Sequence, residues 1–385
     1  MNLYVMILLL FIILLLFVAP DVYLSLVTFR GAAWWVHLLI WVPVLVAVGT
    51  LFSVRIGGLT NVKTEVFIIL LLCVAFPQLL FVLFSLIGKM VGLAWHPAAI
   101  IGNGVGAVAG VMLLLSAIYG LTFGWKNLKV QQDELTFDNL PAAFEGYKIV
   151  QISDLHVGSY GKNPAFLEKV VQYVNAEQPD LIVFTGDIVN TSSEEITPFE
   201  SVLSKLQAKD GVVAVLGNHD YCMYGMGEHP ADLREGALPV VAAERRMGWD
   251  ILLNEHRLIS RDGSQIAIIG VEHTGKPPFP QIGDLRGAMK GLPDSTFKIL
   301  LSHDPSHWRR EVLPDTDIPL MLAGHTHAAQ LKIGSWSPVQ WMYKEWSGLY
   351  VEDNQQLFVS EGVGGTIPFR FGTSPKIIVH TLRHR

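Results

Sequence analysis

The chain has 385 residues, of which 51% are hydrophobic and 16% charged, a balance too apolar for a soluble enzyme of this length. A net charge of -6 with no long basic run gives no reason to expect nucleic acid as a partner. Cys73 and Cys222 are the only cysteines, so no disulfide framework is indicated and a reducing compartment fits.

Most of the apolar excess lies in the first third. Residues 2–19, 33–54, 66–88 and 98–122 form four nearly uncharged runs of about 18 to 25 residues, the length that crosses a hydrocarbon core of roughly 30 Å. They predict a four-helix transmembrane anchor over residues 1–124. The first run has no basic residue before it and no small-residue cleavage pattern before Asp21, so it is expected to stay rather than be removed as a signal peptide. No Asp, Glu, Lys or Arg falls inside the runs, where a solute pathway needs polar groups, and this favours an anchor over a transporter. Pro77 with Gln78, and Gly102, Gly104, Gly106 and Gly110, read as kinks and close helix packing. With a cytoplasmic N-terminus, Arg55, Lys63, Lys126 and Lys129 lie inside against Arg30 and Lys89 outside, which puts the remainder of the chain in the cytoplasm.

From residue 125 short apolar runs alternate with amphipathic stretches, the pattern of an α/β domain over residues 125–385. A helix is expected to open at Asn163 as cap with Pro164 in its first turn, placing Phe166, Val170, Val171 and Val174 on one face. A second is expected from Thr197, Pro198 and Glu200 as a capping box, ending at Gly211.

Five apolar runs deliver polar side chains just past their ends. "YKIVQISDLH" reaches Asp154 and His156, "DLIVFTGD" reaches Asp187, and "GVVAVLGNHD" reaches Asn218, His219 and Asp220. "FKILLSHD" reaches His303, and "IPLMLAGHTH" reaches His325 and His327. The carboxyl ends of strands are where α/β sheets place their ligands. One histidine after one strand is ordinarily turn chemistry or a satisfied core group, but five such ends in one domain point to a metal site. Imidazole, carboxylate and carboxamide donors suit borderline divalent ions such as manganese, iron or zinc, and the lack of a cysteine cluster disfavours structural zinc.

The ordered set DLH, GD, GNHD, SHD and GHTH, over roughly residues 145–380, resembles the calcineurin-like metallophosphoesterase family. The stretches "ILLSHDPSHW" and "GGTIPFRFGTSPKIIVHTL" resemble its membrane-attached bacterial branch, which includes UDP-2,3-diacylglucosamine pyrophosphohydrolase-like phosphoesterases. The resemblance implies two mixed β-sheets packed as a sandwich flanked by helices, with a dinuclear centre at the strand ends. Carried over by position, it assigns Asp154, His156 and His327 to one metal and Asn218, His303 and His325 to the other, with Asp187 bridging. His219 would face the leaving group or the phosphate as a catalytic residue, and Asp220 would either orient its imidazole or make a simple loop hydrogen bond. Asn190 stands where purple acid phosphatases carry a metal-binding tyrosine, which argues against a tyrosinate-iron site.

Two divalent ions against Asp154, Asp187 and a bridging hydroxide leave a net charge of about +1 for an anionic substrate, and that hydroxide is expected to attack phosphorus in line. Arg370 in the closing loop is a candidate phosphate clamp and His273 a candidate substrate contact; Met226 and His229 belong to a candidate lid. An inner-membrane anchor with a cytoplasmic catalytic domain favours lipid-linked phosphodiesters or pyrophosphates as substrate, with the bilayer as the implied partner. Alternatives are a membrane sensor or transporter-like protein with a phosphoesterase output domain, a phosphomonoesterase or phosphoprotein phosphatase, and a metal-poor scaffold.

Overall fold

Strands that read as unbroken apolar runs need cover on both faces, and the strands over 148–152, 181–184 and 297–301 find it between a second sheet and an outer layer of helices. The computed structural model describes residues 11, 13–57, 61–224, 232–277 and 279–385. The chain divides into two units, Met1–Leu121 and Thr122–Arg385.

In the first unit, three helical segments among the described residues are long and apolar enough to cross a membrane: Trp34–Ser53, Asn61–Gly92 and Pro97–Lys126. The expected count of four is not reached. Most of the first expected span, 2–19, lies outside the described residues, and the apolar helix that remains there, Leu14–Thr28, is shorter. The Arg55 side chain also lies outside the described residues. Small residues let two backbones meet, as the glycine spacing predicts: a Cβ on Gly102 would sit 2.6 Å from Phe84 O, and one on Gly106 2.8 Å from Phe81 O. Gly104 faces open space and takes no part. Asp21, expected just beyond the first span, is buried in this unit.

In the second unit twelve strands among the described residues form two six-stranded mixed sheets. The first sheet has the order β1 (Lys129–Phe137), β12 (Lys376–His384), β2 (Lys148–Ile152), β3 (Leu181–Phe184), β4 (Val212–Ala214) and β5 (Asp250–Ile251). β2 to β5 run parallel, and β12 is antiparallel to β2. The second has the order β10 (Gly348–Glu352), β11 (Gln355–Val359), β9 (Leu320–Ala323), β8 (Phe297–Leu301), β7 (Ser264–Gly270) and β6 (Glu255–Arg261), with parallel pairing from β7 through β11. Val183, Val213, Ile268, Ile299, Leu322 and Phe358 pack between the sheets as one core. The outer face of the first sheet is covered by the helices Ala165–Ala176 and Leu233–Arg246, and that of the second by Trp308 and Val312.

The helix over 165–176 follows its sequence signals. Asn163 Oδ1 accepts from Ala165 N at 3.0 Å, and Leu167, Val170, Val171 and Val174 are buried, with Phe166 half-buried against Trp125. The second capped helix does not form as expected. Only Glu200–Leu203 is α-helical, Ser192 rather than Thr197 provides a side-chain cap nearby, and Gly211 leads into β4. Glu200 is drawn instead to Arg246 of the neighbouring helix at 2.5 Å, so a tertiary ion pair replaces the capping box.

The loop from β11 to β12 is tied down by buried Glu361, which accepts from Lys332 Nζ at 2.9 Å and Ser347 Oγ at 2.6 Å and lies 3.1 Å from Lys376 Nζ. Burial alone would raise its pKa, but Lys376 and the hydroxyl and lysine donors bring it down to about 2. A carboxyl depressed in the folded state adds stability above its ordinary pKa and loses it as pH falls toward the folded value. Glu361→Gln is therefore expected to lower stability by about 2 kcal/mol at neutral pH, read by urea unfolding in detergent. The gap from wild type should close as pH falls from about 4.5 to 2; an equal gap at both ends would contradict this role.

Candidate metal centre

Each of the five parallel strands that read as ligand-bearing ends where its polar residue begins. Past β2 come Asp154 and His156, past β3 Asp187, past β4 Asn218, past β8 His303, and past β9 His325 and His327. The turns that aim these side chains inward use left-handed backbone at Asp154 (φ 55), His156 (φ 47), Asp187 (φ 63), His325 (φ 75) and His327 (φ 50). Non-glycine residues adopt that region at a cost, and such strain collects at functional sites. Two glycines permit the close approach: a Cβ on Gly217 would strike the Asp187 carboxylate, and one on Gly324 would strike Ser153 Oγ.

Two groups of donors converge. Asp154, His156, Asp187 and His327 form one, and Asp187, His303 and His325 the other, each with donor atoms within 4.8 Å of one another. Asp187 belongs to both. Asn218 Oδ1 is buried with no hydrogen-bond partner, while its Nδ2 donates to Tyr224 OH at 3.0 Å. A buried carboxamide oxygen left without a donor fits a cation.

Outer contacts fix the tautomers. His156 Nδ1 donates to Asn190 Oδ1 at 2.9 Å, and His303 Nδ1 donates to Thr185 O at 2.6 Å, which turns each Nε2 toward the centre. Tyr343 OH lies 2.8 Å from His325 Nε2 and donates to Asp304 Oδ2 at 3.3 Å, so His325 turns Nδ1 inward. His156 Nε2 and His327 Nε2 lie 3.2 Å apart, as do His325 Nδ1 and His303 Nε2.

Burial, and then repulsion from His219, pushes the His156 pKa down to about 3. Burial likewise takes His327 to about 3 and His325 to about 4, so all three are neutral and competent as ligands at pH 7. For His303 burial also favours the neutral form, but Asp187 and Asp154 overrule it and lift the pKa to about 10. Asp187 is held well below the usual carboxylate range by His303, against the effect of its own burial. The negative potential that raises His303 is what a divalent cation would meet at that place.

His219 is half-buried at the rim, its ring 4.9 Å from that of His156 and 4.4 Å from that of Tyr224, with Nδ1 donating to Asn190 O at 2.7 Å. That bond corrects the role expected for Asp220. Its carboxylate does not touch the His219 imidazole and instead accepts the backbone N–H groups of Asp187, Ile188 and Gly217, each at 2.8 Å. Two ligand loops are thereby held by one side chain. Arg370 is also not a phosphate clamp: its guanidinium is buried and donates to the carbonyls of Glu361, Gly362 and Gly364. His273 does come to the site, 5.6 Å from His303 and 5.9 Å from His325 between ring centroids, but it is fully buried and cannot touch a substrate in this conformation. Met226 and His229 lie outside the described residues.

Sequence reasoning overlooked Asn190 as the partner of His156, and Tyr343 and Asp304 as supports of His325. Asp304 lies inside a quoted motif and could have been found; Tyr343, eighteen residues beyond His325, carries no local signal.

The family described as calcineurin-like phosphoesterase matches residues 147–329. The uncharacterized metallophosphoesterase YkuE of Bacillus subtilis is 31% identical, over 72% of this chain and 94% of its own length. The transmembrane protein with metallophosphoesterase domain of Danio rerio is 28% identical over 69% of this chain, which spans 60% of that longer protein. The UDP-2,3-diacylglucosamine pyrophosphatase LpxG of Chlamydia trachomatis is 27% identical over 71% of this chain and 96% of its own length.

Removing the outer contact on His156 tests the site from the side of metal binding. Asn190→Ala should weaken manganese binding about 10- to 100-fold, measured by calorimetric titration. Unchanged affinity would dismiss Asn190 as a positioning residue.

Proposed function

The chain belongs to the calcineurin-like metallophosphoesterase family of metal-dependent phosphoester hydrolases, and from that premise we propose that it cleaves phosphodiester or pyrophosphate bonds in lipid-linked substrates. The observation that carries this reading is the pair of donor groups sharing Asp187 at the ends of parallel strands. Asp154, His156 and His327 would hold one divalent ion and Asn218, His303 and His325 the other, with Asp187 between them. When bound, such a pair supplies an activated water and positive charge for the phosphoryl oxygens. Manganese suits this mixed nitrogen and oxygen donor set.

The chain's own residues supply the rest. Asp187 is held ionised, its Oδ1 accepting from His219 N at 2.8 Å, which ties the shared ligand to the rim histidine's backbone. Asn190 O fixes Nδ1 of His219, so Nε2 is the nitrogen that can pass a proton to the leaving oxygen. Asn190 thus serves both His156 and His219.

The lipid-linked part of the reading rests on two supports: the chain's own apolar helices, and similarity to a protein described as a UDP-2,3-diacylglucosamine pyrophosphatase. The lysine and arginine asymmetry favours a cytoplasmic catalytic unit with three spans as well as four, because Arg55, Lys63, Lys126 and Lys129 fall on one side in both cases.

Purified full-length protein with manganese is expected to release UMP from UDP-2,3-diacylglucosamine, while Asp187→Asn releases none. No UMP, with bis(p-nitrophenyl) phosphate still cleaved, would reject this substrate and keep the chemistry. For His219→Ala we expect a rate loss of about 10²- to 10⁴-fold, largest for poor leaving groups. An equal loss for good and poor leaving groups would argue against proton transfer by His219.

A further inference from the structure

The stretch after the GHTH motif carries a surface that hydrolysis does not use. Residues 331–344 read LKIGSWSPVQWMYK, with two lysines and no carboxylate. The segment is pinned from within, because Ser337, Val339 and Tyr343 are buried and Ser337 Oγ donates to Ala328 O at 2.8 Å. Tyr343 is the residue that touches His325. Between these anchors Ile333, Trp336, Trp341 and Met342 are 62%, 36%, 80% and 61% exposed.

They make one patch. Ile333 N donates to Trp336 O at 2.9 Å across the turn at Gly334, and the rings of Trp336 and Trp341 lie 5.6 Å apart. Lys276 and Lys344 are exposed beside it, and Lys276 Nζ donates to Met342 O at 3.4 Å. The next acidic residue, Glu345, is buried and paired with Arg309 at 2.6 Å. Contiguous exposed aromatics held rigidly in place mark an interaction site rather than ordinary surface.

We propose that this patch seats on the lipid bilayer, with Trp336 and Trp341 at headgroup level and Lys276 and Lys344 against lipid phosphates. Indole rings favour the membrane–water interface, since one end is apolar and the other can stay wet. Lysines beside them are attracted to anionic headgroups, and the stretch offers no carboxylate to oppose that. The membrane helices of the same chain keep a bilayer within reach at high effective concentration. Only Met342 separates Trp341 from Tyr343, whose hydroxyl touches His325 of the centre. The patch therefore presents the centre to amphiphilic phosphoesters that remain in the membrane during hydrolysis, a consequence that rests on the proposed function above.

The test uses the full chain in nanodiscs of phosphatidylethanolamine with phosphatidylglycerol. Cys73 and Cys222 are replaced by serine, and an NBD fluorophore is placed through Trp341→Cys or, as a control, through Asp262→Cys. Asp262 lies in the turn before β7, at the end of the sheet opposite the histidine-bearing strand ends. Doxyl-labelled lipid should quench the probe at 341 several-fold more than the probe at 262, and replacing phosphatidylglycerol with phosphatidylcholine should reduce that difference. Equal quenching at both positions, or none at 341, would overturn the proposal and leave the patch for a protein partner. Turnover of bis(p-nitrophenyl) phosphate by the same samples reads the hydrolytic reading separately. Turnover without quenching sinks the patch alone, and quenching without turnover sinks the hydrolysis alone.

Discussion

Crowding charge into a dry place is the constraint around which the catalytic unit is built. Asp154 and Asp187 are fully buried among His156, His303 and His325, with His327 beside them. An ionised carboxylate in such a place is costly unless something positive meets it. The protein answers in two ways: Asp187 and Asp154 favour positive charge at His303, and His156 and His325 each turn a ring nitrogen toward the same space. Both arrangements suit a cation. The left-handed turns at five of the candidate donors and the glycines that admit the carboxylates are the backbone side of the same constraint.

Residues that looked like chemistry in the sequence often serve the backbone instead. Asp220 collects amides of the two turns that carry Asp187 and Asn218, and Arg370 collects carbonyls of the loop beside Asp154. Loops that bring ligands to one point leave backbone groups unpaired by the sheets, and each buried one needs a partner. A carboxylate suits a cluster of N–H groups and a guanidinium suits a cluster of carbonyls, so these side chains stabilise the site without facing it.

The strands and the convergence of the candidate donors were legible because both depend on local order: apolar runs of strand length, each followed by a donor. The helix at 165–176 was legible for the same reason. The helix expected from Thr197 was not, because Glu200 is claimed by Arg246, forty-six residues away. Tyr343 and the tryptophan patch were invisible for a related reason, since neither the reach of a hydroxyl to His325 nor the exposure of Trp341 is encoded in spacing. The two-sheet packing was carried only by the family resemblance, and the strand order by nothing in the sequence; periodicity marks strands but does not say that β12 lies between β1 and β2.

Apolar helices and the strand-end donors belong to one chain, and Asp187 belongs to both donor groups. The proposed function requires two divalent ions, one on either side of that carboxylate. Anomalous diffraction from crystals of the manganese-loaded protein tests it most directly. Two peaks about 3.5 to 4 Å apart, one beside His156 and His327 and the other beside His303 and His325, are the expected result. A single peak, or peaks away from Asp187, would contradict it.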